Sequence, residues 1–203
     1  MPYNSKMNIV VISASTRPNS QSLKIANYLN RRLLELNSVG QVLDLSLIKL
    51  PIYDDSDSGD WSGLVNSIKQ QLDAADGYIF VSPEWNGMAS VGLLNMLHYI
   101  DQELAHKPVM LVGVSATRGG SYPLQQLRTM GYKNRHYVIL PESLLVTDCK
   151  NVFNDDNQES ESSDLYMKKR AEYALKVLIT YAESLKQVRN SGIIDFDTYP
   201  NGM

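Results

Sequence analysis

Ile9-Val10-Val11-Ile12-Ser13-Ala14-Ser15-Thr16-Arg17-Pro18-Asn19-Ser20-Gln21-Ser22-Leu23 is the stretch on which the fold turns. Its opening apolar run has no polar alternation, so it reads as a strand buried on both faces, the habit of parallel sheets. Beyond the hydroxyl-rich segment, Ile25, Leu29, Leu33 and Leu36 recur at helical spacing and share one face. Strand, short polar loop and helix N-terminus together aim free backbone N–H groups and the positive end of a helix dipole at one spot. Ser15, Ser20 and Ser22 add hydroxyls there, and Arg17 adds a fixed charge whose fork geometry suits phosphate. The loop reads as the anion site of a phosphorylated ligand. A plainer reading competes with it: Ser20 or Ser22 caps the helix and Arg17 sits in solvent. Neither G-x-x-x-x-G-K-[ST] nor G-x-G-x-x-G occurs, so the anion site rests on serine and arginine.

Outward from this unit the pattern repeats. The sequence predicts strands over Asn8–Ser13, Gln41–Ser46, Gly77–Ser82, Val109–Ser115 and His136–Val146, the last interrupted by Pro141. Helices are predicted from about Ser20 to Leu36, Ser62 to Ala75, Ser90 to Asp101, Leu124 to Met130 and Asp164 to Val188. Pro51, Asp54, Asp55, Asp57, Ser58, Gly59 and Asp60 read as an exposed turn, and Asn154–Asp164 as an acidic linker. Residues 1–6 are expected to be a flexible arm, and Ser191–Met203 a tail without a readable task. Alternating strands and helices make a single three-layer α/β domain over residues 1–203. Ligands of such sheets bind beyond the carboxyl ends of the strands, where strand order reverses. The loops Ser13–Ser22, Pro83–Met88 and Ser115–Ser121 leave those ends and should converge.

The second of these loops, Ser82-Pro83-Glu84-Trp85-Asn86-Gly87-Met88, follows its strand directly. Proline stops the strand, glycine permits close approach or a positive φ, tryptophan offers a flat apolar face, and asparagine offers a donor and an acceptor. That combination suits a flat ring with a polar edge, such as a flavin; a turn whose tryptophan merely packs is the alternative. The third loop, Ser115-Ala116-Thr117-Arg118-Gly119-Gly120-Ser121, is small enough for a planar ligand to approach its backbone; it also reads as a glycine turn before a helix.

Composition narrows the classes. With 203 residues, 43% hydrophobic and 20% charged, the chain is long enough and apolar enough to bury its own core. A net charge of −3 and no stripe of Lys and Arg among aromatics argue against a nucleic-acid partner. No apolar run reaches the ~20 residues of a bilayer span, and no charged-then-apolar leader opens the sequence, so no membrane partner and a cytoplasmic location are expected. The one cysteine, Cys149, excludes an intrachain disulfide framework and reads as an inert thiol. His98, His106 and His136 are scattered, and no zinc spacing occurs, so no metal is expected.

Taken together, Ala14-Ser15-Thr16-Arg17-Pro18-Asn19-Ser20, Pro83-Glu84-Trp85-Asn86-Gly87, the small loop Ser115–Gly120 and Gln125-Gln126-Leu127-Arg128 resemble the NAD(P)H-dependent FMN reductase family. That family includes quinone, azo-dye and chromate reductases. The resemblance covers most of residues 7–148 in element order, and P-E-[YW]-N-G is its most specific piece. It implies a flavodoxin-like α/β/α sandwich with a five-stranded parallel sheet of order 2-1-3-4-5. It implies FMN as cofactor and NAD(P)H as electron donor, with a quinone, azo compound, metal oxyanion or free flavin as small-molecule acceptor. By the same resemblance Ser15, Arg17, Ser20, Gln21 and Ser22 would hold the FMN phosphate. Pro83, Glu84, Trp85, Asn86 and Gly87 would surround the isoalloxazine and ribityl chain, and Ser115, Gly119 and Gly120 would close the other side. Glu84 is expected to structure the turn. No catalytic side chain is implied, because the flavin carries the chemistry. A homodimer or homotetramer is implied too, with the C-terminal helix and the helix around His98-Tyr99 as contact surfaces.

Departures from the family pattern are Ala14 for a glycine, Trp85 for a tyrosine, Leu94 for a lysine and His98-Tyr99 for Asp-Trp. They bear on substrate preference and subunit contacts more than on flavin binding. Two other readings fit the fold: an FMN-containing electron carrier of flavodoxin type, and a relative that has lost flavin and serves as an interaction protein. Arg17 and the modest net charge weigh against the carrier; Arg17, Trp85 and Asn86 together weigh against the second.

Overall fold

The computed structural model describes residues 6–55, 61–154 and 162–202. Residues 1–5 of the expected arm, the acidic turn from Asp57 to Asp60 and most of the acidic linker lie outside the described residues. Five parallel strands, β1 (Asn8–Ser13), β2 (Val39–Asp44), β3 (Gly77–Pro83), β4 (Pro108–Val114) and β5 (Val138–Val146), form one sheet in the order β2-β1-β3-β4-β5. The helices are α1 (Gln21–Glu35), α2 (Ser62–Asp73), α3 (Val91–Tyr99), α4 (Ser121–Thr129) and α5 (Ser162–Arg189), with a short 3-10 turn at Gln102–Leu104.

Burial explains the order. β3 and β4 are buried at every residue and β1 at all but its first, so these unbroken apolar runs need cover on both faces. β2 and β5 mix exposed and buried residues and take the two edges. Alternate residues then divide the core. Ile9, Val11, Ile79, Val81, Met110 and Val112 meet Ile25, Leu29 and Leu33 of α1 and Ala171, Leu175 and Leu178 of α5. Val10, Ile12, Tyr78, Phe80, Val109 and Leu111 meet Ile68 and Leu72 of α2, Leu93 and Met96 of α3, and Leu124 and Leu127 of α4. The sheet thus lies between two helical layers.

Local chemistry fixes the boundaries. Ser20 is the N-cap of α1, with Oγ accepting from Leu23 N at 3.1 Å. The same helix ends in a Schellman turn: Asn37 has φ 58°, Ser38 N donates to Leu33 O and Asn37 N to Leu34 O. β2 lies two residues earlier than the sequence predicts, because Asp44 turns its carboxylate back to accept from Ser46 N and Ser46 Oγ. β5 starts at Val138, not His136, whose φ of 52° breaks an extended run. Pro141 sits inside β5, where the register against β4 shifts between Ile139 and Ser143. An edge strand tolerates the missing donor, and Arg128 donates to the Leu140 and Pro141 carbonyls, each at 3.1 Å.

Candidate functional site

The loops after β1, β3 and β4 leave the carboxyl rim of the sheet side by side, since their strands are neighbours. Three junctions tie them together. Ser90, at the start of α3, donates from Oγ to Ala14 O and takes its own backbone bond, N to Ser82 Oγ, at 3.1 Å. Arg17 Cζ stands 5.3 Å from the ring centroid of Trp85. Glu84 Oε2 accepts from Gly120 N at 2.5 Å and from Tyr122 N at 3.3 Å. A carboxylate at the N-terminus of α4 satisfies donors that the helix leaves over and opposes the positive end of its dipole. α4 therefore starts at Ser121, earlier than the sequence predicts, with its cap supplied from a different loop.

In the first loop Ser15 is fully buried and its Oγ accepts from Arg17 N at 3.3 Å, which bends the chain back over the strand end. Thr16–Asn19 are exposed, and Asn19 has φ 51°. Ser20 and Ser22 are buried. The capping reading of Ser20 holds, with its Oγ accepting from Leu23 N; an accepting hydroxyl still has its own hydrogen to donate. Gln21 Oε1 is buried and has no hydrogen-bond partner, so a buried acceptor stands among the expected phosphate ligands.

In the second loop Trp85 and Met88 exchange backbone bonds, Trp85 N to Met88 O at 3.2 Å and Met88 N to Trp85 O at 3.0 Å. The intervening Asn86 and Gly87 have φ 51° and 71°. Two successive positive φ values across such a bridge make a type I′ turn, for which Asn-Gly is the favoured pair. Pro83 is the last residue of β3, and Glu84 N continues the ladder to Val114 O at 2.8 Å. The third loop repeats the serine turn: Ser115 Oγ accepts from Thr117 N at 3.2 Å. Gly119 lies against the Glu84 carboxylate, where a Cβ would come within 2.8 Å of Oε1, and Gly120 has φ 106°. Gly113, in β4, packs against the Gly120 carbonyl so closely that a Cβ would collide with it.

All thirteen expected ligands thus sit on the carboxyl rim, but not all present side chains to one spot. Glu84 is turned to α4, as its expected structural role requires. The sequence alone gives no role to Ser82 or Ser90, and places Gln126 only within the family-like stretch; Gln126 Oε1 accepts from Ala89 N at 2.7 Å and anchors the end of the Trp85 hairpin. Lys24 was missed as well. From the first turns of α1 its ammonium donates to Cys149 O at 2.8 Å, Val152 O at 2.9 Å and Asn154 Oδ1 at 3.1 Å, fastening the segment after β5 beside the rim. Burial lowers the Lys24 pKa and raises that of the neighbouring Cys149 thiol, so Cys149 is kept in its unreactive form. A cavity of about 200 Å³ adjoins Thr16, walled by Leu45, Ile48, Leu50 and Gly92. A wider one of about 740 Å³ opens at the amino end of the sheet, beside Asp73, Asp101 and Phe196, away from these loops. Among the described residues no group of His, Cys, Asp or Glu is placed to hold a metal, and no helix is long and apolar enough to cross a membrane.

The residues fit FMN in kind: serine hydroxyls and Arg17 for phosphate, glycines that let a ring approach backbone, and an unpartnered buried acceptor for a ribityl hydroxyl. This geometry defines a flavodoxin-like α/β protein with a candidate ligand site at its carboxyl rim. The family described as NADPH-dependent FMN reductase matches residues 7–151, and the chain belongs to that family. It is similar to the NADPH azoreductase of Bacillus sp. (strain OY1-2), 30% identical over 125 residues, which cover 61% of this chain and 66% of that one. It is also similar to the quinone reductase of Escherichia coli (strain K12), 28% identical over 136 residues, covering 60% and 69%. The chain therefore spans about two thirds of each relative's length. A solved flavoenzyme NAD(P)H:(acceptor) oxidoreductase from Paracoccus denitrificans shares the fold, with TM-score 0.67 at 17% identity, over 88% of this chain and 98% of that one.

Proposed function

We propose that this chain is an oxidoreductase that binds FMN and passes two electrons from NAD(P)H to a small-molecule acceptor such as a quinone, azo compound, metal oxyanion or free flavin. The meeting of three strand-end loops through Ser90–Ala14, Arg17–Trp85 and Glu84–Gly120 carries this reading. FMN, when bound, supplies the redox chemistry by taking hydride from the donor and yielding electrons to the acceptor. The chain's residues bind and orient. Ser15, Arg17, Ser20 and Ser22 hold the phosphate, with Gln21 beside them presenting its Oε1 to a ribityl hydroxyl: Arg17 contributes charge, the serines O–H donors, and α1 its dipole. Pro83, Glu84, Trp85, Asn86 and Gly87 shape one wall, Trp85 by its face and Glu84 by fixing the third loop. Ser115, Gly119 and Gly120 form the other wall, where small residues let backbone N–H groups reach a ring edge.

Cytoplasmic placement accords with a soluble donor and a single buried thiol. A homodimer or homotetramer accords with apolar side chains at the site's mouth: Val91 is 67% exposed, Tyr122 58% and Met88 48%. The expected contact at His98-Tyr99 is partly used within the chain, since Tyr53 stacks on His98 at 5.4 Å and Tyr99 Oη donates to Pro51 O at 3.2 Å. Light scattering of the purified protein measures the assembly.

The test is the absorbance of the purified protein with added FMN. Bound flavin should give a perturbed spectrum that bleaches on NADPH addition, and NADPH oxidation should then follow a supplied quinone. Flavin that binds but is not reduced by NADPH or NADH would favour the electron carrier; a protein indifferent to saturating FMN would favour the interaction protein.

A further inference from the structure

Trp85 and Arg17 come from different loops, and Arg17 Cζ lies over the indole ring, 5.3 Å from its centroid. The two partners differ in freedom. Trp85 is half-buried on a hairpin fixed by its own backbone bridge, by Gln126 at one end and by the Glu84 contact at the other. Arg17 is exposed and sits in the exposed run Thr16–Asn19, held only at its backbone by Ser15. Among the described residues its guanidinium has no carboxylate partner and donates to no protein acceptor. Stacking on an aromatic face engages the π surface of a guanidinium and leaves its five N–H donors free in the plane.

We propose that Trp85 is a positioning residue for the phosphate: its indole holds the Arg17 plane so that the free N–H edge serves the anion spot at the start of α1. The proposal rests on the flavin-binding reading above. It gives Trp85, which the sequence assigns to the ring wall, a second task exercised through Arg17. It also gives physical meaning to tryptophan in place of the family's usual tyrosine, because indole is the strongest aromatic partner for a cation.

The experiment titrates FMN and riboflavin, which lacks the phosphate, into the apo form of the whole chain and into Trp85→Leu, Trp85→Tyr, Arg17→Ala and the double variant Arg17→Ala/Trp85→Leu. Flavin fluorescence gives both Kd values. The readout is the ratio of riboflavin Kd to FMN Kd, from which any damage to the ring wall or to folding cancels. Arg17→Ala should lower the ratio about tenfold or more, the scale of a charge-assisted phosphate contact. Trp85→Leu should lower it about two- to fivefold, the scale of an exposed cation–π contact. Trp85→Tyr should lower it less than Trp85→Leu, since phenol is a weaker cation partner than indole, and the double variant should fall no further than Arg17→Ala alone. A Trp85→Leu variant that weakens both flavins equally would leave the flavin site standing and overturn the coupling, as would fully additive losses in the double variant. A parent chain that binds neither flavin would overturn the flavin reading and the coupling with it.

Discussion

Glu84 shows how a single side chain organises the rim. Its carboxylate receives two N–H groups at the start of α4, from a residue 36 positions earlier than Gly120. Glu84→Ala leaves those donors without their acceptor and should cost about 1–3 kcal/mol of stability. Glu84→Gln keeps an acceptor and loses the charge, so it should cost about 0.3–1 kcal/mol. Urea unfolding of the two variants checks the order, and FMN affinity should fall in the same order because the third loop hangs from this contact. Gly113 is the other sensitive residue. Gly113→Ala drives a methyl group into the Gly120 carbonyl, so β4 and its loop must separate. A lowered melting temperature together with lost FMN binding is expected; an alanine variant with unchanged flavin affinity would contradict this account of the rim. Neither role was legible in the sequence. Glu84 was read correctly as a turn residue, but its partner lies beyond the next helix, and nothing local to Gly113 announces that a carbonyl from the α4 cap lies against it. Asn86-Gly87, by contrast, was legible as a turn because its need for positive φ is intrinsic to the pair.

At the scale of elements, the sequence carried the sheet and its helices well, because Val- and Ile-rich runs and helical periodicity report burial directly. It failed at element ends: α4 begins early because of the distant Glu84, while β2 ends early because of a local turn at Asp44 and β5 begins late because His136 adopts positive φ. The tie between α1 and the segment after β5 was likewise hidden, since a lysine in an early helical turn looks like a solvated charge. Its ammonium is enclosed by main-chain carbonyls and the Asn154 amide. Lys24→Met should therefore cost about 1.5–3 kcal/mol, the range for hydrogen bonds to a charged group. Amides of residues 149–154 should exchange with deuterium faster in that variant, while those of β3 should follow only the global stability.

For the whole molecule, the two rims of the sheet do different work. At the amino end Lys107 is buried and donates to Leu72 O at 3.2 Å, Asp73 O at 2.6 Å and Glu103 O at 2.7 Å. Burial pushes its pKa down to about 8 from the usual 10.5. Nearby Tyr78, donating to Leu72 O and Glu103 O, has its pKa raised by burial. The signs are opposite in effect. Between about pH 8 and 10.5 the unfolded chain binds more protons at Lys107 than the folded one, so this group adds stability as pH rises. Above about pH 10 the unfolded chain loses the Tyr78 proton while the folded chain retains it, so stability falls. Urea midpoints from pH 7 to 11 should pass through a maximum near pH 10, with a shallower alkaline fall in Tyr78→Phe.

The C-terminal tail belongs to that same amino rim. Arg189 bonds His106 O at 3.0 Å and Asp76 Oδ1 at 3.1 Å, Phe196 stacks on His106 with centroids 5.8 Å apart, and Pro200 O lies 3.3 Å from His136 Nε2. A surface linker grafted at Asn201 would therefore emerge about 20 Å from the carboxyl rim, the length of a seven-residue strand such as β4. Electrodes or beads attached there would leave the loops after β1, β3 and β4 turned toward free solution.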